Sequence, residues 1–407
     1  MHTQMMDQIL HKVQSIPSLP AAAQRLCQLA QDPEADEGDI IRAITTDEVL
    51  TSRILRAANS AIYGLSQKIT TVSHAIVILG HQTIRNLALG VTVFGARMGT
   101  DREHSLHRED LWRHSLAVAS AAREMAKLLR DPDSEETFTA GLLHDIGQVV
   151  LIEFFHEVYA PVLEQAAQGA GPLHILEQQA FGIDHAAIGR EICRHWKIPP
   201  SLEQAVSEHH HDLQLGCLLT RENRRLFEIR VGDNLARISQ IGSDGEANVE
   251  MDFLRILDTE EILPEHLRKI LLALPEEVRK AEIFFDLVSS HDGDRPHHSP
   301  SDTAGVYLAD RNEREVVRLL LLSLGYTLIP IGEMRTHDGP LAGVVVDESL
   351  PVDLKELFQQ RGTPLMDFDV WRGQRSGGNQ PVQINIQHLR VWLGENLPHP
   401  QGGAASP

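Results

Sequence analysis

Along the first two thirds of the chain, apolar residues recur at three- and four-residue intervals, which predicts helix after helix. "LPAAAQRLCQLAQD" sets Leu19, Ala22, Leu26 and Leu29 on one stripe. "DIIRAITTDEVLTSRILRAANSA" repeats the pattern, with Asp47 placed to cap a second helix that carries Leu50, Ile54 and Leu55. Two helix-like runs in "TVSHAIVILGHQTIRNLALGVTVF" are punctuated by Gly80. "DLWRHSLAVASAAREMAKLL" and "ETFTAGLLHDIGQVVLIEF" predict a central pair, followed by shorter helices divided by Gly or Pro. "LFEIRVGDNLARISQI" and "EHLRKILLALPEEVRKAEIFFDLV" close the helical region.

The pattern then changes. "SSHDGDRPHHSPSDTAG" is polar and rich in Gly, Pro and Ser, as linkers are. Beyond it, "GVYLAD", "YTLIPI", "LAGVVVDE" and "PLMDFDV" predict short buried strands, with helices in "EREVVRLLLLSLG" and "DLKELFQQRG" between them. Alternating strands and helices imply a small α/β domain with a parallel sheet. The expected organisation is a helical domain over 1–288, a linker over 289–304, an α/β domain over 305–397 and a flexible tail over 398–407. The fold class is mainly α, an all-helical bundle followed by a small α/β domain.

Composition narrows the function. A length of 407 residues suits two or three domains, and 42% hydrophobic residues suffice for real cores. The balance of 37 basic against 57 acidic residues gives a net charge of −20, which argues against a protein built to neutralise nucleic-acid phosphates. The basic cluster "RENRRLFEIR" is accordingly expected to be a solvated helix face. Cys27, Cys193 and Cys217 are widely spaced and odd in number, so a reducing cytoplasm fits best. The start "MHTQMMDQIL" lacks a signal-peptide pattern, and no run approaches the ~18 apolar residues of a membrane span.

Candidate chemistry lies in histidines and carboxylates. A water-activating divalent metal needs several imidazoles or carboxylates converging from different segments. In chain order the candidates are Asp110 and His114, His144 and Asp145, His185, His209 and His210, and Asp233. Asp110 and His114 are four apart and share a helix face. His144 and Asp145, taken as neighbours in one helix-like run, diverge by about 100° around its axis. Each has an ordinary alternative: a surface or core histidine, a polar helix end for His209 to His211, a cap for Asp233. A histidine-rich set suits Fe, Mn, Co or Zn rather than Ca.

"GLLHDIGQ", with His114 upstream and "VGDNLA" downstream, resembles the HD superfamily of metal-dependent phosphohydrolases. That resemblance implies His114, His144, Asp145 and Asp233 as ligands. Similarity to the two-metal HD-GYP phosphodiesterases adds Asp110, His185, His209 and His210, with Asp145 bridging two ions and iron the first metal by analogy. The front half, from "SIPSLPAAAQRLCQLAQDP" through "RAANSAIYG" and "AIVILG" to "FGIDHAAIGREICRHWKIPPSLEQAVSEHH", resembles the HDOD domain over roughly residues 10 to 215. HDOD domains are all-helical modules of bacterial signalling, generally regarded as non-catalytic, and most lack several of the ligands. Two departures separate this chain from the phosphodiesterases. Gln148 stands where they carry a phosphate-contacting lysine, and "HDLQLGCLLTRENRR" lacks the GYP signature.

Two readings therefore stand. One is a bacterial signal-transduction protein that acts through protein–protein interaction with signalling partners or a second copy of itself. It would bind one or two divalent ions (Fe or Mn before Zn), or a nucleotide, or keep the dipeptide as a metal-free relic. The other is a metal-dependent phosphohydrolase acting on a nucleotide or cyclic dinucleotide. The C-terminal segment resembles a receiver domain, which would make Asp347, at the end of "LAGVVVD", a phosphoacceptor with Asp310 as its acidic neighbour. Ala309 and the missing Lys-Pro depart from that pattern, so the resemblance is to a degenerate receiver used for docking or dimerisation. The ordinary alternative for both aspartates is capping. Asn59, Ser60 and Tyr63 are expected to cap and orient a helix junction.

Overall fold

The computed structural model describes residues 2–29, 36–59, 68–80, 84, 102–211, 213, 220–250, 262–285, 303–308, 311–324, 326–329, 341–347, 349–361, 363–368, 383–385, 388–389 and 392–393. Chain contacts divide it into two compact units. One comprises Met1–Ala236, Gln240–Glu246 and Ala273–Ser289; the other comprises Arg237–Ser239, Ala247–Leu272 and Ser290–Pro407.

The first unit is helical. It contains α1 (His2–Ser15), α2 (Ala21–Leu29), α3 (Glu37–Thr45), α4 (Glu48–Ala58), α5 (Val72–Leu79), α6 (Arg102–Leu128), α7 (Ser134–Leu143) and α8 (Ile146–Phe154). After these come α9 (His156–Ala167), α10 (Leu173–Phe181), α11 (His185–Trp196), α12 (Pro200–Glu208) and most of α13 (Arg221–Ser239). Local chemistry starts these helices where the sequence indicates. Asp36 and Asp39 close a reciprocal capping box on α3, and Asp47 accepts from the Leu50 amide at 2.9 Å. Asn59 clamps the end of α4 through three bonds: its Nδ2 donates to the Leu55 and Ile69 carbonyls, and its Oδ1 accepts from the Ile69 amide. Ser60, Tyr63 and the helical run expected after Gly80 lie outside the described residues, apart from Ile84.

Helices α7 and α8 form the centre. Both are buried almost all round, from Thr137 to Leu143 and from Ile146 to Ile152, which is where helices without a polar face belong. They are not one run. The chain leaves helical geometry at Asp145 (φ −98°, ψ 16°), so His144 and Asp145 occupy a break rather than neighbouring positions on one helix. α8 packs against α11, and Gly147 is what lets it: a Cβ there would fall 1.9 Å from the His185 carbonyl oxygen. The N-terminal segment is tied to the same helix, since His195 Nε2 donates to the Ile16 carbonyl and Trp196 Nε1 to that of Pro17, at 2.9 and 3.0 Å.

The second unit holds a four-stranded sheet in the order β3-β2-β4-β5, every pair parallel. Its strands are β2 (Thr303–Tyr307), β3 (Thr327–Leu328), β4 (Gly343–Val346) and β5 (Leu365–Asp367). Helices α15 (Arg311–Ser323) and α16 (Val352–Gln360) supply the crossovers; α14 (Pro264–Phe285) precedes them in the chain. All four β4 residues are buried, and Ile329, Val344, Val346, Leu350, Leu354 and Phe358 form one core. A short strand, β1 (Asn248–Glu250), appears where the pattern predicted only helix, pairing antiparallel with β6 (Gln383–Asn385). Three residues are too few to show a period, and such a strand exists only through its distant partner. Residues 286–302 and 394–407, which contain most of the expected linker and the whole tail, lie outside the described residues. Among the described residues no helix is long and apolar enough to cross a membrane.

Candidate metal centre

Five histidines and two of the predicted aspartates meet beside the α7–α8 break. α6 brings His114, the break brings His144 and Asp145, the start of α11 brings His185, the end of α12 brings His209 and His210, and α13 brings Asp233. The two oxygens of Asp145 face different groups. Oδ1 lies 3.2 Å from His185 Nε2 and 3.4 Å from His209 Nε2, while Oδ2 lies 3.2 Å from His144 Nε2 and 4.0 Å from His114 Nε2. His210 Nε2 sits 2.8 Å from His185 Nε2, and His114 Nε2 sits 3.1 Å from Asp233 Oδ1. In one group, ligand atoms of Asp145, His185, His209 and His210 all lie within 4.8 Å of one another; in a second, so do those of His114, His144 and Asp233.

The rings are held from behind. Nδ1 of His144 donates to the Gly141 carbonyl at 2.7 Å, and Nδ1 of His209 donates to that of Val206 at 2.8 Å. Nδ1 of His185 donates to Glu177 Oε2 at 2.6 Å. A histidine whose Nδ1 proton is so engaged presents Nε2 as its ligating atom, and this backing is typical of metal histidines. Glu177 is fully buried; it also accepts from the His185 amide at 2.8 Å and from Tyr159 Oη at 2.6 Å. Arg230 secures the histidine turn by donating to the His209 and His211 carbonyls.

The electrostatics ask for positive charge. Burial alone would push Asp145 up, but His144 and His185 outweigh it and hold its carboxyl well below the usual range. Burial opposes a proton on His185, yet Glu177 and Asp145 prevail and hold it well above the ordinary value. On His114, likewise, burial is outweighed by Asp244 and Asp233. Burial, reinforced by neighbouring histidines, holds His210 well below the ordinary value. The buried carboxylates thus favour positive charge on His185 and His114. The donor set fits divalent cations supplying that charge instead, because ligation requires these same imidazoles to be neutral. Ions held by these residues would supply Lewis acidity and lower the pKa of bound water.

Asp110 does not join the cluster. It is exposed, one turn before His114, and lines a cavity of about 340 Å³ whose wall also includes His107, Gln148, Glu164, Ser243 and Asp244. The buried aspartate near His114 is instead Asp244, which sequence reasoning missed along with Glu177, Tyr159 and Arg230. Only a glycine-flanked acid in "GSDGE" hinted at Asp244, and turns are full of such acids. Gln148 donates through Nε2 to Asp145 Oδ2 at 3.1 Å. The basic cluster is a solvated face only in part: Arg221 and Glu222 are exposed, whereas Arg225 is buried and pairs with Glu136 at 3.1 Å, and Arg230 serves the histidine turn. In the second unit, buried Asp347 accepts at Oδ1 from the Ser349 amide at 3.0 Å and from the Ser349 hydroxyl, while Ala309 and Asp310 lie outside the described residues.

A helical bundle that gathers histidines and aspartates around a His-Asp break defines the class of the first unit. The model of the HDOD domain matches residues 16–212, just under half of the chain, so this stretch is similar to an HDOD domain. An uncharacterised protein of Treponema pallidum is 26% identical over 210 residues, which is 51% of this chain and only 40% of that protein's length. Three solved structures share the fold. An HDOD domain protein of unknown function from Geobacter sulfurreducens is 19% identical, with a TM-score of 0.58 over 70% of this chain and 98% of that one. A candidate phosphohydrolase from Shewanella amazonensis is 24% identical, at 0.53 over 68% and 97%. A candidate signal transduction protein from Marinobacter aquaeolei is 18% identical, at 0.53 over 70% and 64%.

Proposed function

We propose that this is a cytoplasmic bacterial signal-transduction protein whose HDOD unit works through contacts with other signalling proteins. In this reading His114, His144, Asp145, His185, His209, His210 and Asp233 hold one or two divalent ions, Fe or Mn before Zn, in a structural or sensory role. The observation that carries it is the wall of the cavity beside the cluster. Asp110, Glu164 and Asp244 line it, Gln148 stands where a phosphate-contacting lysine would be needed, and among the described residues no Lys or Arg lines it. A phosphate entering there meets carboxylates first, which is the reverse of an anion-stabilising site. For Asp347 the proposal is a turn-forming role, since Ser349 engages its Oδ1 twice.

A second reading, a metal-dependent phosphohydrolase, draws on one specific feature: the two Asp145 oxygens divide between two donor groups, as a bridging carboxylate would. Protein purified without chelator or air, assayed for metal and then against nucleotides, cyclic dinucleotides and simple phosphodiesters, separates the two. Metal bound without turnover is expected. Turnover that disappears in Asp145→Asn would instead establish the enzyme.

A further inference from the structure

We infer that Asp244, carried on the loop after α13, is a metal ligand on the His114 side of the centre, and that Asp110 is not. The inference rests on the metal-binding reading above and names a ligand that the His-Asp motif does not predict.

The loop is built to place this side chain. Gln240, Gly242 and Gly245 all have positive φ, at 53°, 71° and 88°. A Cβ on Gly242 would lie 2.2 Å from both the Asp110 carbonyl oxygen and the His114 amide nitrogen, so the loop lies directly on the turn of α6 that bears His114. The Ser243 amide donates to the Asp110 carbonyl at 3.0 Å, which holds that contact. Beyond Asp244, Glu246 accepts from the Leu173 amide at 3.0 Å and anchors the other end. Asp244 itself is 3% exposed.

Its two oxygens have separate tasks. Oδ1 accepts from the Glu246 amide at 3.1 Å and shapes the loop, while Oδ2 faces His114 Nε2 at 3.9 Å. That distance is too long for a hydrogen bond. It suits two donors sharing one ion, since bonds of about 2.0–2.2 Å each allow donor–donor separations up to roughly 4 Å. Ligand atoms of His114, Asp145 and Asp244 lie within 4.8 Å of one another, and Asp110 belongs to no such group among the described residues. A cation between these three residues would sit against the carboxylates of both Asp145 and Asp244. Because Asp244 also lines the cavity, an ion it holds is reachable from there.

The test is metal content per full-length chain, with the rate of release to a chelator, for the wild type and for Asp244→Asn, Asp244→Glu, Asp110→Asn and Asp145→Asn. Asparagine keeps the Oδ1 acceptor for the Glu246 amide, and circular dichroism confirms that helix content is unchanged. Asp244→Asn is expected to lose about one ion equivalent or to release metal at least tenfold faster. Asp244→Glu should recover much of the loss, and Asp110→Asn should match the wild type. A merely structural Asp244 reverses the order, with Asn tolerated and Glu disruptive. Wild-type metal content and release in Asp244→Asn, or loss in Asp110→Asn, overturns the inference. A wild type that takes up no metal at all, even on reconstitution, overturns it together with the metal-binding reading beneath it.

Discussion

Glu177 and Glu228 are both buried acids, yet their surroundings give them opposite characters. Glu177 has three donors around it and backs His185. Replacing it with Gln should weaken metal binding ~10–100-fold, the usual cost of losing a ligand's supporting carboxylate; metal titration of the folded variant reads this directly. Among the described residues Glu228 has one hydrogen-bond partner, the Thr137 hydroxyl at 2.9 Å, and its Oε1 has none. Burial pushes its carboxyl up to about 8, against 4.5 ordinarily, with the Thr137 bond too weak to reverse it. The sign follows from linkage. Between pH 4.5 and 8 the unfolded chain releases this proton and the folded chain retains it, so Glu228 makes folding progressively less favourable as pH rises through that window. Urea denaturation should show Glu228→Gln gaining ~2–4 kcal/mol on the wild type between pH 5 and pH 8.5. An equal difference at both pH values would mean that the acid is ionised in the fold. Neither environment was legible in the sequence, because both acids sit in helical stretches where solvated carboxylates look identical.

At the level of elements, the helices were legible wherever they show an amphipathic stripe, and α4 begins at Asp47, the acid that the pattern marks as its cap. The centre was harder. "GLLHDIGQVVL" is apolar apart from His144, Asp145 and Gln148 and reads as one helix; only the fold reveals the break that turns His144 and Asp145 toward the same cluster. The close approach of α8 to α11 supports that geometry, and Gly147→Ala tests it. With the His185 carbonyl 1.9 Å from the new Cβ, the helices must separate, at a cost of ~1–3 kcal/mol and with weaker metal binding. Gly171→Ala is the control, since its Cβ would meet only Leu176 at 3.9 Å, and its stability should stay within ~0.5 kcal/mol of wild type. Equal denaturation midpoints for the two variants would mean that α11 yields without strain.

For the molecule as a whole, a metal at this centre would couple segments far apart in sequence. Its candidate ligands come from five elements and a loop, between His114 and Asp244. Any ion that binds only the folded chain stabilises it by mass action, ~4 kcal/mol at a thousandfold excess over Kd. Saturating metal should therefore raise the melting temperature of the first unit by ~5–15 °C, and chelator should reverse it. Asp145→Asn should melt alike with and without metal. A melting temperature indifferent to both would place the ion outside the folded core. The sequence by itself determined the fold class, the parallel α/β character of the second unit, the HDOD resemblance and most of the histidines that converge, because periodicity and motif spacing are local properties. Tertiary structure alone decided that Asp244 rather than Asp110 approaches His114, that Glu177 and Arg230 hold the ligands from behind, and that β1 finds β6. The physical reason is common to all three: whether the partners are 8 residues apart, as Glu177 and His185 are, or as distant as Asn248 and Asn385, the contact is set by which faces pack and where a loop lies, and such packing leaves no periodic trace in either partner segment.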